Sequence, residues 1–160
     1  MFKSFVSLVV LASLVAAAPS LVARAVPAGF AVTSTSYSGA GCPASSAVVN
    51  VAADSSAFSV VYSEFTLNVG PSLPSPDTKV CTVTLNLAIP SGYTVGLEPL
   101  ESGSFRQDDG TVGGGFGINH AFTSSQLTLT TSAVLIADGP TSTGVLIIDS
   151  LDGHFTFTKD

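Results

Sequence analysis

The chain has 160 residues, 46% of them hydrophobic and 10% charged, with five Lys plus Arg against eleven Asp plus Glu and a net charge of −6. That length suits one domain, and so acidic a chain offers no basic stripe to neutralise phosphates, which argues against nucleic acid or an anionic membrane as partner. The apolar fraction and its regular spacing exclude intrinsic disorder.

Residues 1–17 read as a secretory signal peptide. Lys3 supplies the cationic start, and the apolar run from Phe5 to Ala16 gives way to Ala17, Ala18 and Pro19. A bilayer span needs about 20 apolar residues, so this run is too short for one. Cleavage before Ala18 leaves four basic residues against eleven acidic ones, a net charge of −7. Residues 18–38 carry Arg24 and Pro27 without a clear period and are expected to be a flexible lead-in or a short propeptide. The C-terminal stretch ends in Lys159 and Asp160 and not in an apolar tail, which predicts no lipid-anchor signal. The protein is therefore expected outside the cell, free of the membrane once the signal is removed.

Residues 39–160 read as a single all-β domain. Apolar residues recur there at period two, and Gly, Pro, Asp and Ser clusters punctuate them. Strands are predicted at Ala47–Ala53, Phe58–Val69, Val80–Ile89, Tyr93–Leu100, Phe116–Phe122, Gln126–Ile136, Gly144–Ser150 and Gly153–Thr158. In the second of these the apolar parity switches between Phe58, Val60, Tyr62 and Phe65, Leu67, Val69. A β-bulge, or a strand passing between two sheets, would account for the switch. Val80–Ile89 alternates most cleanly, with Cys81, Val83, Leu85, Leu87 and Ile89 on one face and Thr82, Thr84 and Asn86 on the other. The run Val145–Ile148 is apolar throughout and is expected centrally, buried on both faces. About eight short strands predict an antiparallel β-sandwich or a flattened barrel.

The two cysteines, Cys42 and Cys81, are most simply paired in an oxidising compartment, closing a loop of about 40 residues. A metal or nucleophilic role is the poorer account, because no His lies at ligand spacing and a bonded sulfur cannot attack.

The order Gly41-Cys42-Pro43, Glu64-Phe65 leading to Val69-Gly70-Pro71, Lys79-Val80-Cys81, Leu85-Asn86-Leu87 and Pro90-Ser91-Gly92-Tyr93 resembles the small secreted proteins of fungi and actinobacteria grouped as domain of unknown function 4360. The resemblance is strong from Gly41 to about Phe122 and looser beyond. It implies an all-β secreted domain and carries no assigned activity. The additional C-terminal cysteines of many relatives are missing here.

Among titratable groups, His120 shares a predicted face with Phe116, Ile118 and Phe122. It could serve a pocket as acid or base, although a satisfied core histidine is the more ordinary reading. His154 alternates with Thr156 and Thr158 on what reads as the wet face. Glu64 is turned inward if the strand continues in parity, and exposed if a bulge precedes it. Asp108 and Asp109 precede Gly110, first of all a turn, with Ca²⁺ binding or glycoside hydrolysis as the sharper readings. The glycines Gly113 to Gly117 follow no buried strand and open no helix, so they read as a flexible hairpin and not as a phosphate cradle. No nucleophile elbow or zinc-protease motif occurs, and no cofactor or metal is expected.

The leading expectation is a secreted, non-catalytic β-domain that binds cell-wall polysaccharide or an extracellular protein, or serves a structural role at the cell surface. The alternatives are a small hydrolase using Glu64 or Asp109 with His120, and a secreted effector-like protein.

Overall fold

The computed structural model describes residues 25–98, 101–102 and 112–160. No helix occurs among them. Eleven strands do: β1 (Ala31–Ser38), β2 (Ala47–Val51), β3 (Ala57–Tyr62), β4 (Thr66–Val69), β5 (Asp77–Ala88), β6 (Tyr93–Leu97), β7 (Glu101–Ser102), β8 (Val112–Phe122), β9 (Gln126–Ala137), β10 (Gly144–Ile147) and β11 (Ser150–Lys159).

Three antiparallel sheets result. β1-β5-β9-β8 form one layer of four strands, β4 pairs with β10, and β2-β3-β11-β6 form a further sheet in which β7 also pairs with β11. The arrangement is the sandwich that period-two alternation predicts. β5 buries Cys81, Val83, Leu85 and Leu87, and β9 buries Leu127, Leu129, Thr131, Ala133 and Leu135. These side chains share one face, because residues directly opposed in an antiparallel ladder point to the same side. Phe58, Val60, Tyr62, Leu67, Leu146, Leu151 and Phe155, from the other sheets, complete the buried core. At one end Phe30 sets its ring edge-on to Phe155 and Phe157, with centroids 5.1 and 4.7 Å away.

The parity switch at residues 58–69 is a passage between sheets. Tyr62 ends β3, the turn Ser63-Glu64-Phe65 intervenes, and β4 pairs with β10 and not with β11. Both parity sets remain buried because the turn rotates the chain by one residue.

Three expectations are corrected. Residues 31–38, expected within a flexible lead-in, form β1 and pair with β5 from Ala31↔Ala88 to Ser38↔Thr82. Val145–Ile148 is not buried on both faces: β10 pairs only with β4, so Leu146 and Ile148 are buried while Val145 and Ile147 are half-buried. Gly113 to Gly117 are not a hairpin but lie within β8, in unbroken register with β9.

Cys42 and Cys81 are disulfide-bonded, with Cα atoms 5.4 Å apart across a sequence separation of 39, and both are buried. The loop that carries Cys42 is seated by two bonds, Gly41 N–H to the Val80 carbonyl at 2.9 Å and Cys42 N–H to the Gly39 carbonyl at 3.1 Å. Two glycines make the approach possible. Gly39 has φ +136°, where a side chain is strained and would meet the Val80 carbonyl, and a Cβ at Gly41 would collide with the Phe65 ring.

One polar pair crosses the core. The Tyr62 hydroxyl and Thr131 Oγ1 are 3.2 Å apart, both side chains buried. Burial pushes the Tyr62 phenol above its ordinary range, with the Thr131 bond opposing that shift. The fold thus favours the neutral phenol. Its contribution is complete below the unfolded-state value of about 10 and is lost as pH rises through the higher folded value.

Three outcomes are expected. Replacing both cysteines by Ala lowers stability in urea denaturation by about 4 kcal/mol, from loop-closure entropy. Gly41→Ala destabilises by about 1–3 kcal/mol through overpacking against Phe65. On raising the pH through 10, stability falls less steeply in Tyr62→Phe than in the parent, as followed by denaturation at each pH.

Candidate functional site

The sequence-predicted residues do not assemble. Glu64 sits exposed in the turn between β3 and β4. Asp108 and Asp109 lie outside the described residues. His120 stands on β8 opposite Leu129 and is exposed, which corrects its expected place as a satisfied core histidine. The reason is positional: β8 is the outermost strand of its sheet, so its inward-facing side chains run beyond the cover of the facing layer. The His120 ring instead meets Phe122 edge-on at 6.0 Å. Neither the Glu64 carboxylate nor the His120 imidazole has a hydrogen bond or ion pair with another described residue. Among the described residues no group of three or more His, Cys, Asp or Glu could hold a metal ion.

A different set of residues is brought together by register. On the outer face of the four-stranded sheet, Ser38, Thr82, Thr130 and Asn119 form one row across all four strands. Ser36, Thr84, Thr128 and Ala121 form the next, and Ser34, Asn86 and Gln126 a third. Strands lie about 4.8 Å apart and alternate residues about 6.8 Å apart along each, so the hydroxyls make a regular grid. The third row is locked by hydrogen bonds. Asn86 Nδ2 donates to Ser34 Oγ at 2.8 Å, and Gln126 Nε2 donates to Asn86 Oδ1 at 3.0 Å.

In the two other rows the hydroxyls of Thr82, Thr84, Thr128 and Thr130 have no hydrogen-bond partner among the described residues. These threonines are half-buried at their bases by neighbouring strands. β-Branching restricts each to few rotamers, so the array is ordered before any ligand arrives. Among the described residues of these four strands, none that faces outward is charged.

The opposite outer face is different. Asn50, Ser59 and Asp152 align across β2, β3 and β11, and with His154 they line a shallow hollow of about 410 Å³. His154 is exposed, as its alternation with Thr156 and Thr158 predicts. Asp152 accepts from Ser150 Oγ at 3.3 Å. An open cleft of about 390 Å³ at one end of the sandwich, between Pro90–Thr94 and Phe122–Ser124, holds no carboxylate or imidazole.

Sequence alternation marks Thr82, Thr84, Thr128 and Thr130 as solvent-facing, and the repeated Thr-x-Thr in two strands is the available signal. Their alignment into rows is not readable from the chain, because it depends on which strands pair and in what register.

The sequence matches the family described as Domain of unknown function (DUF4360) over residues 28–158, and the chain belongs to that family. No curated protein and no solved structure matches it.

Proposed function

We propose that this DUF4360 domain is secreted and acts outside the cell as a non-catalytic binding domain, with the outer face of β1-β5-β9-β8 as its contact surface for neutral, extended cell-wall polysaccharide. The observation that carries the reading is the uncharged hydroxyl grid on an otherwise acidic protein. Hydroxyls both donate and accept, which suits a polymer whose own surface is hydroxyls, and a chain of net charge −7 once residues 1–17 are removed would be repelled from an anionic one.

Secretion is supported by the signal-like residues 1–17 and by a buried disulfide, which fits an oxidising compartment. The face carries no aromatic ring, so affinity must come from many weak bonds. Each nets about 0.5–1.5 kcal/mol after exchange with water, and a long polymer supplies the repetition that a short oligosaccharide lacks. The hydrolase reading, Glu64 or Asp109 with His120, gains no support from the described residues, since Glu64 and His120 stand exposed on separate elements.

Sedimentation with insoluble chitin, β-glucan and whole cell-wall preparations tests this. The parent chain is expected to co-sediment with at least one of the neutral polymers. The double variant Thr84→Val, Thr128→Val, which keeps β-branching and removes two hydroxyls, is expected to bind about tenfold more weakly, with an unchanged melting temperature. Parent-like binding by that variant excludes this face, and no binding to any polymer removes the polysaccharide reading.

A further inference from the structure

Sheet edges differ sharply in length across this fold. β2 and β6 have five residues each, and β4 and β10 four. β1 has eight, broken by a register shift between Val32 and Ser34. β8 has eleven, paired to β9 without any shift, and no described strand pairs with its other edge. Folded proteins blunt long edges with charge, proline or a bulge, because the free N–H and C=O groups otherwise recruit another strand. The sequence VGGGFGINHAF of β8 has none of these.

We infer that two copies of this chain pair through β8, antiparallel about a two-fold axis at Gly117, joining their four-stranded sheets into one of eight strands. The occupant is a second copy because β8 is complementary to itself. In the register that opposes all eleven residues, Val112 faces Phe122 of the second copy, Gly114 faces His120 and Phe116 faces Ile118, all on the inner side. On the outer side Gly113 faces Ala121, Gly115 faces Asn119 and Gly117 faces itself. Each bulky side chain therefore meets a glycine or an apolar partner, and no charges oppose each other. Phe116, 44% exposed in the single chain, and the half-buried Ile118 become covered. Backbone pairing over this length adds about ten hydrogen bonds. The contact is isologous and closes at two, so it does not propagate into fibres.

Sedimentation velocity over a concentration series reads the association directly and is independent of polysaccharide binding. The parent chain is expected to shift from monomer to dimer with concentration. Gly117→Lys sets two like charges against each other at the axis and is expected to stay monomeric. It should also fold normally: a Cβ at Gly117 meets only Ser132 Oγ at 3.7 Å, and the backbone there is open to any residue. Gly117→Cys is expected to cross-link to itself under mild oxidation. Gly113→Cys is not, since the two copies of that position lie about 27 Å apart along the strands. A parent chain that stays monomeric at all concentrations, as capture of some other extended peptide would leave it, overturns the inference. So does a Gly117→Lys dimer, or cross-linking of Gly113→Cys as fast as Gly117→Cys.

Discussion

The ten-residue pairing of β5 with β9, from Asp77↔Leu135 to Asn86↔Gln126, organises the molecule on both of its sides at once. Inward, it sets Val83 against Leu129 and Leu85 against Leu127, all fully buried, and so forms the floor on which β4 and β10 pack. Outward, the same register sets Thr82 against Thr130 and Thr84 against Thr128. A slip by one residue would bury the threonines and expose the leucines, so the apolar requirement of the core also enforces the order of the polar face. The disulfide fastens the loop after β1 to β5, and the Tyr62–Thr131 bond joins β3 to β9 through the interior.

Charge is distributed accordingly. Many described acidic residues stand in turns and at strand ends, among them Asp54 before β3, Glu64 before β4, Asp138 after β9 and Asp149 before β11, while Asp152 lies on β11 in the other sheet. Asp54 accepts from both the backbone N–H and the hydroxyl of Ser56, which holds its carboxyl below the ordinary range. Carboxylates of this kind shape turns. They leave the four-stranded outer face neutral, and pairing through β8 sets two such faces side by side.

Much of the fold was legible in the chain because burial on one side of a sheet writes period two into the sequence. β5 and β9 were readable to within a few residues for that reason. β1 was not: in AVTSTSYS the apolar residues fall at Ala31, Val32 and Tyr37, and the shift between Val32 and Ser34 breaks their phase. An edge strand that buries little leaves little pattern. The glycines of β8 read as loop since glycine weakens strand propensity, yet the ladder of β9 supplies their partners and overrides it. His120 departs from the core for a related reason. Its phase with Phe116, Ile118 and Phe122 marks an inward face, and phase carries no information on whether a second layer reaches that far.

By itself the sequence determined the all-β class, the two cysteines that pair and the strands that carry threonine opposite leucine, because each of these follows from local alternation or from composition. Tertiary structure alone decided that the chain leaves one sheet for another after Tyr62, that β8 lies at an edge and that threonines from separate strands fall into rows. Those features depend on which strands become neighbours across tens of residues, and a period of two is the same whoever the neighbour is.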